Sequence, residues 1–350
     1  MGKERTTPLR NRRIVLAARP KGEPKDEDFR LEEVDLPVPG EGQALLRTIY
    51  LSLDPYMRGR MNAGPSYVAA LEIGDLMEGR TVSEVVEART PVLHPGDVVA
   101  AHGGWQQYSV EDARTIRKLD PSVAPVSANL GVLGMPGLTA YTGLMNIGQP
   151  KAGETLVVAG AAGAVGSVVG QIAKIAGCRV VGVAGSPEKC EFVTRELGFD
   201  ACVSHRDDAF EEELRQACPN GVDIYFENVG GRVLRAVLPL MNLFGRVPVC
   251  GLISQYNMSM PPRGVDRVPM LMTTVLTRRL TLRGFIVGDF AAQRDEFRLR
   301  MSAWLREGRV RYREDVVDGL ENAVAAFQGL FRGSNLGKLL VRVGRSPSVE

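Results

Sequence analysis

The sequence predicts an α/β fold: a doubly wound parallel sheet accompanied by a separate β-rich domain. Three observations carry this. From Glu154 onward, short apolar runs alternate with segments charged on one side and apolar on the other, the pattern of parallel βαβ units. In the first 125 or so residues little has an apolar period of 3.6, and short runs rich in Val, Leu, Ile and Tyr are broken by turn chemistry, as in an irregular barrel-like unit. Between the first strand and first helix of the second half stands a turn of small residues, Gly160-Ala-Ala-Gly-Ala-Val-Gly166.

In the first half, strands are expected at Ala44–Leu53 and Asp97–Ala101, bounded by Pro37-Val-Pro-Gly-Glu-Gly42 and His94-Pro-Gly-Asp97. Thr155–Ala159 opens the parallel sheet. In the helix that follows, Val165, Val168, Val169, Ile172 and Ala176 share one face, and Gly177 ends it. The strand Arg179–Ala184, the helix Ser186–Leu197, a third strand ending near His205-Arg206 and the helix Ala209–Ala217 come next. Further strands are expected at Ile224–Phe226, Arg246–Cys250 and Leu280–Val287. Ser254–Arg279, rich in Met and Pro (Met258, Met260, Pro261, Pro262, Met270, Met272), should begin as a loop over a cleft and end as a helix. Its methionines would suit an adaptable apolar lid or ordinary packing. After a helix at Arg294–Arg306, the tail Val310–Val343 is β-rich around one more helix and returns to the first domain. The expected boundaries are residues 1–128, 129–311 and 312–350.

Composition narrows the function. A chain of 350 residues exceeds one domain of ~100–200 residues, so two are expected. Hydrophobic residues at 44% and charged ones at 24% describe a globular protein rather than a disordered one. Lys and Arg number 43 against 41 Asp and Glu, a net +2 too balanced for a protein whose main task is holding nucleic acid. No apolar run approaches the ~18–20 residues that span a bilayer. Ile14–Ala18, after the basic N-terminal stretch, is too short for a signal-peptide core. The cysteines Cys178, Cys190, Cys202, Cys218 and Cys250 are odd in number and lack a tight spacing, which argues against a disulfide framework and for a cytoplasmic setting.

The small-residue turn carries the chemistry. Ala161 and Gly163 let the backbone approach a pyrophosphate, Gly166 lets the helix lie close to the sheet, and the first-turn N–H groups with the helix dipole hold the phosphates. An NAD-binding unit usually ends its second strand in Asp or Glu, which holds the ribose 2′-hydroxyl. Here Gly185-Ser186 stand at that tip, Lys189 lies within one turn and His205-Arg206 nearby, a pattern that favours NADP(H). The alternative is a solvated Lys189 with Glu188 serving an NAD ribose.

A dinucleotide unit after a β-rich half suggests a medium-chain dehydrogenase/reductase. Zinc members hold their catalytic metal with Cys and His of the first half, yet no cysteine precedes Cys178 and the early histidines, His94 and His102, stand apart. No metal is therefore expected. Leu51-Ser-Leu-Asp-Pro-Tyr-Met-Arg-Gly-Arg-Met61, Gly134-Met-Pro-Gly-Leu-Thr-Ala-Tyr141, Phe226-Glu-Asn-Val-Gly-Gly231, Cys250-Gly-Leu-Ile-Ser-Gln-Tyr-Asn257 and Ser334-Asn-Leu-Gly-Lys338 together resemble the zinc-independent prostaglandin reductase/2-alkenal reductase group of that superfamily. The N-terminal stretch around Phe29-Arg-Leu-Glu-Glu is most similar to its bacterial curcumin-reductase-like branch. The resemblance spans nearly the whole chain. It implies a GroES-like catalytic domain built from both chain ends and a Rossmann domain between them. It implies cofactor contacts at Met135, Thr139, Gly163, Ala164, Val165, Gly166, Lys189, Asn228, Cys250, Gly251, Ile253, Ser254, Tyr256, Phe285, Ile286, Val287 and Asn335. His205 stands where the family carries a tyrosine, and an imidazole there can stack on the adenosine or meet the 2′-phosphate.

Tyr256, just past the strand ending at Cys250, would donate a hydrogen bond to the oxygen of an enolate formed as hydride reaches the β-carbon. Alternatively it packs over the cofactor. Tyr56 would wall the substrate from the other domain, or pack in the barrel. Arg58 and Arg60 suit structural ion pairs better than an acidic substrate tail. The expected activity is NADPH-dependent reduction of the C=C bond of a hydrophobic α,β-unsaturated ketone or aldehyde. The alternatives are a quinone reductase of the same fold or a non-catalytic NADP-binding protein. The edge strand Leu280–Val287 would pair with its twin in a homodimer.

Overall fold

The computed structural model describes residues 9–64, 66–122, 124–258 and 265–344. Counting these residues, the chain divides into two compact units, one of residues 9–130, 316–330 and 339–344 and the other of residues 131–315 and 331–338.

In the first unit the elements run β1 (Arg10–Leu16), β2 (Phe29–Asp35), β3 (Gln43–Ser52), α1 (Met57–Arg60), β4 (Thr81–Ala88), β5 (Val98–Ala101), β6 (Tyr108–Asp112) and β7 (Arg117–Lys118). β3 pairs antiparallel with both β4 and β6, an interior strand, and most of its residues are buried rather than alternating, as when both faces of a strand are covered. Its register against β4 shifts between Leu45 and Leu46 and again between Thr48 and Tyr50, irregularities that bend the sheet. Among the described residues of this stretch, the one α-helix, α1, is a single turn long, in keeping with the missing helical period.

The second unit holds α2 (Met135–Gly143), β8 (Thr155–Ala159), α3 (Gly166–Ile175), β9 (Arg179–Ala184), α4 (Pro187–Arg195), β10 (Ala201–Ser204), α5 (Phe210–Ala217), β11 (Val222–Phe226), α6 (Gly231–Val237), β12 (Met241–Val249), α7 (Val268–Arg278), β13 (Thr281–Gly284) and α8 (Arg294–Arg306). The strands form one parallel sheet in the order β10-β9-β8-β11-β12-β13. Val157, Val181, Val183, Phe210, Leu214, Tyr225, Val237 and Val247 make a core on one side of it. Side chains of this size contribute roughly 1.5–3 kcal/mol each when fully buried.

Several boundaries differ from the sequence reading. The strand expected over Leu280–Val287 stops at Gly284, because Phe285 turns inward, 7% exposed, and sets its ring edge-on to Phe226 at 6.3 Å. The strand expected from Arg246 starts at Met241, entering through a register shift against β11, and ends at Val249. The helix α3 is buried on more than its apolar face: Ser167, Gly170 and Gln171 are buried too, and a Cβ on Gly170 would meet the Phe199 ring at 1.9 Å. Of the Met- and Pro-rich segment, residues 259–264, with Met260, Pro261 and Pro262, lie outside the described residues. Met258, Met270 and Met272 are exposed.

The tail forms β14 (Glu314–Asp318), α9 (Ala323–Arg332) and β15 (Lys338–Arg342). β15 pairs antiparallel with β3, giving a seven-stranded sheet in the order β14-β15-β3-β4-β5-β7 with β6 also on β3. Phe327 of α9 stands edge-on to Trp105 at 5.5 Å, and Phe29 stacks on Trp105 at 5.9 Å, so both chain ends build the first unit's core.

Candidate functional site

The order of the parallel strands reverses between β8 and β11. A parallel sheet opens a crevice outside the carboxyl ends of the strands at such a reversal. β8, buried throughout, delivers the chain into Gly160, which adopts a φ of +64°. Ala161 N donates to Val183 O at 3.0 Å and Gly163 N to Gly160 O at 2.9 Å. A Cβ on Gly166 would stand 2.3 Å from the Gly160 carbonyl oxygen. No side chain caps α3; Ser167 N donates to Gly163 O and Val168 N to Val165 O, both at 3.1 Å, so what the helix offers an anion here is its positive dipole end. Ala161, Gly163, Ala164, Val165 and Gly166 all belong to this turn; Ala161 and Gly166 are buried, and Gly163, Ala164 and Val165 are the partly exposed part that a pyrophosphate could approach.

At the tip of β9, Ser186 caps α4, its Oγ accepting from Lys189 N at 3.4 Å. Gly185 leaves room there: a Cβ would come within 3.4 Å of His205 Nε2 and 3.8 Å of Arg206 Nε. Lys189 Nζ donates to the Gly333 carbonyl at 2.7 Å, and the Arg206 guanidinium donates to the Arg332 carbonyl at 2.9 Å. Lys189 and Arg206 therefore converge on one stretch of backbone. Burial, reinforced by the Arg206 charge, lowers the Lys189 pKa from its ordinary value, and the same two causes lower that of His205. Glu188 is exposed in the first turn of α4. The site thus includes Arg206, which the sequence pattern already sets beside His205 near this tip.

On the other flank, two loops are joined by backbone hydrogen bonds. Asn228 Nδ2 donates to Ala159 O at 2.8 Å, tying the end of β11 to the end of β8. Cys250 N and Gly251 N donate to Glu227 O, Ile253 N to Asn228 O, and Ser254 N and Oγ to Val229 O. Glu227, 1% exposed, accepts from Val229 N at 2.6 Å and Gly230 N at 2.8 Å. It positions the turn in which Gly230 and Gly231 take φ of +78° and +58°. The motif containing Glu227 was legible, but this role was not. Burial, with Glu227 nearby, pushes the Cys250 thiol up to about 12. Tyr256 Oη accepts from Leu252 N at 3.3 Å, and burial raises its pKa, so the phenol keeps its proton. That is the only hydrogen bond described at this oxygen, which leaves the O–H able to donate.

The segment 331–338 crosses the phosphate turn. Gly337 pairs with Gly163, Gly337 N donates to Ala162 O at 2.9 Å, and Asn335 Nδ2 donates to Gly337 O at 2.8 Å. Asn335 therefore lies beside the phosphate turn. Met135 and Thr139 share the first turns of α2, where Thr139 Oγ1 donates to Met135 O at 2.8 Å. Ile286 and Val287 follow β13. The Phe285 ring is committed to the core, so it offers a ligand mainly its backbone.

In the first unit, Tyr56 precedes α1. Burial, with Asp54 and Glu78 nearby, raises its phenol well above the ordinary range. Arg58, 2% exposed, donates to the Gly22 carbonyl at 2.9 Å and to Asn62 Oδ1 at 2.6 Å, and Arg60 pairs with Glu78. Both arginines are engaged structurally, in line with the reading that set substrate binding second.

Two family models match the chain: "N-terminal domain of oxidoreductase" over residues 12–119 and "Zinc-binding dehydrogenase" over residues 164–307. The chain is 56% identical over 335 residues to the NADPH-dependent curcumin reductase of Escherichia coli (strain K12), covering 95% of this chain and 97% of that protein. It is 40% identical over 341 residues to the 2-alkenal reductase (NADP(+)-dependent) of Nicotiana tabacum, covering 96% and 98%. The crystal structure of CurA in complex with NADPH from Vibrio vulnificus superposes with a TM-score of 0.92 at 50% identity, covering 96% of this chain and all of that one. The zinc in the second family description does not fit the donors present. No cysteine precedes Cys178, and among the described residues no three His, Cys, Asp or Glu cluster as a metal site requires.

Proposed function

This chain belongs to the prostaglandin reductase/2-alkenal reductase group of medium-chain dehydrogenases/reductases, and on that premise we propose that it is an NADPH-dependent reductase of the C=C bond of α,β-unsaturated ketones and aldehydes. The observation that carries the substrate class is its similarity, over nearly its whole length, to a 2-alkenal reductase, whose substrate by name conjugates C=C to a carbonyl. The carboxylate-free tip at Gly185-Ser186, with Lys189 and Arg206 converging beside it, supports the 2′-phosphorylated cofactor.

Bound NADPH would supply a hydride from its nicotinamide to the substrate β-carbon. Ala161 and Gly163, whose own N–H groups are used within the fold, let the pyrophosphate approach the turn, and Ala164, Val165 and Gly166 hold it at the helix N-terminus. Gly185, Ser186, Lys189, Arg206 and His205 receive the adenosine end and its 2′-phosphate. Met135, Thr139, Asn228, Cys250, Gly251, Ile253, Ser254, Phe285, Ile286, Val287 and Asn335 line the rest of the cofactor. Tyr256 keeps its phenolic proton and donates it as a hydrogen bond to the substrate oxygen, where negative charge grows during the reaction. Tyr56, held neutral by burial, walls the substrate. A homodimer through β13 is part of the same reading. All four residues of β13 are exposed at a sheet edge, and α7 beside it buries none of its residues.

Purified protein given NADPH with an enone, with a quinone and with no acceptor tests the proposal by loss of 340 nm absorbance. Rapid oxidation with the enone is expected. Turnover with the quinone alone would replace this reading, and no turnover with either acceptor would remove the enzyme.

A further inference from the structure

The two thiols of Cys190 and Cys202 lie side by side beneath the β9 tip. Cys190 is on α4, next to Lys189, and Cys202 is on β10, the strand that follows. The Cys202 S–H donates to Cys190 Sγ at 2.8 Å. This is shorter than the ~3.5–4.0 Å optimum for non-bonded carbon atoms, although sulfur is larger. A disulfide needs ~2.03–2.05 Å, so a closure of about 0.8 Å separates the pair from a covalent bond. Both residues are only partly buried. The donated hydrogen bond favours the Cys190 thiolate and lowers its pKa, while it keeps the proton on Cys202. The remaining cysteines are differently placed: burial pushes Cys178 and Cys218 up to about 11 and Cys250 up to about 12, where thiols are poor nucleophiles.

We propose that Cys190 and Cys202 form a reversible thiol–disulfide pair, closed by a hydroperoxide, and that closing it weakens the hold of the β9 tip on NADPH. The thiolate of Cys190 attacks one peroxide oxygen; the O–O bond breaks, water leaves after protonation, and Cys190 becomes a sulfenic acid. Cys202 then attacks that sulfur, loses its proton to the departing hydroxide, and a second water leaves as the S–S bond forms. Two thiols and one hydrogen peroxide thus give one disulfide and two waters, the sulfurs losing the two electrons that the peroxide gains. A dithiol reverses it by exchange, itself becoming a disulfide. The closure draws the first turn of α4 toward β10. That turn carries Ser186 and Lys189, whose 3.4 Å contact has little slack. The thiol chemistry stands apart from the proposed cofactor; the loss of affinity rests on it.

The test treats the full-length protein with equimolar hydrogen peroxide. Thiols titrated after denaturation should fall from five by two, with a proteolytic fragment in which Cys190 and Cys202 are linked, and dithiothreitol should restore them. The dissociation constant for NADPH should rise about fivefold on oxidation and return on reduction. Cys202→Ala should bind NADPH normally, form no link and accumulate a sulfenic acid at Cys190 that dimedone traps. Cys190→Ser should also lack the link and show no trapped sulfenic acid. Oxidation that falls on Cys178, Cys218 or Cys250 while this pair stays reduced would overturn the pair. A disulfide that forms with NADPH affinity unchanged would overturn the switch. A protein that forms the disulfide but binds NADPH in neither state would refute the cofactor reading and leave the pair standing.

Discussion

Replacing Lys189 and Arg206 together should erase the preference for NADPH over NADH. A lysine or arginine bonded to phosphate contributes roughly 1.5–3 kcal/mol, against about 0.5–1.5 for a hydrogen bond to a neutral acceptor. Neither cation starts from water: Lys189 Nζ is already on the Gly333 carbonyl at 2.7 Å and Arg206 is on the Arg332 carbonyl at 2.9 Å. The phosphate gains only the difference, about 1 kcal/mol for each cation, or about fivefold in affinity. The single alanine variants should each weaken NADPH about fivefold, and the double variant about twenty- to thirtyfold, with NADH nearly unchanged. Isothermal titration of both cofactors into the four proteins measures this. The pH dependence has a defined sign. The charged Lys189 is the binding form, and its pKa is lowered, so the preference should fade as pH rises, earlier than for an ordinary lysine. It should also fade below about pH 6, where a phosphate monoester takes up a proton. Equal affinity for the two cofactors in the wild type, or an unchanged NADPH affinity in the double variant, would refute the assignment.

Gly166→Ala should lower stability by about 1–3 kcal/mol and weaken NADPH, because its Cβ would lie 2.3 Å from the Gly160 carbonyl oxygen; denaturant unfolding with a cofactor titration checks both. Tyr256→Phe should slow single-turnover NADPH oxidation by an enone on the order of tenfold, less than the ~10²–10³ of an irreplaceable oxyanion donor, since a water can substitute in part. A Phe variant as fast as wild type would make Tyr256 a wall. Light scattering at micromolar concentration should give the mass of a dimer; a monomer would count against pairing through β13. Elemental analysis should find no stoichiometric zinc, and a chelator should leave activity intact.

Where local chemistry decides, the reading from residues was close. β8 and β9 have the bounds expected from their apolar runs, and the turn from Gly160 to Gly166 is dictated by residues that lie together in the chain. α8 also kept its limits, Arg294–Arg306. Where a distant contact decides, the reading drifted. β13 is shorter than its apolar run because Phe285 finds Gly143 and Phe226 in space. The sequence offers Lys189 to a 2′-phosphate, but no spacing announces that its ammonium rests on a carbonyl 144 residues downstream.

The class of fold, the phosphate turn, the absent ribose carboxylate and the family are legible in the chain, because each is written in contiguous residues or short spacings. Folding in three dimensions is what brings Arg206 to the same backbone as Lys189, sets Glu227 under the turn after β11, lays 331–338 across the phosphate turn and puts Cys190 against Cys202. Those four depend on which residues the parallel sheet brings to one end. Hydrophobic patterning specifies that a strand is buried. It does not specify which distant backbone its loops will meet, because that is settled by strand order and packing together.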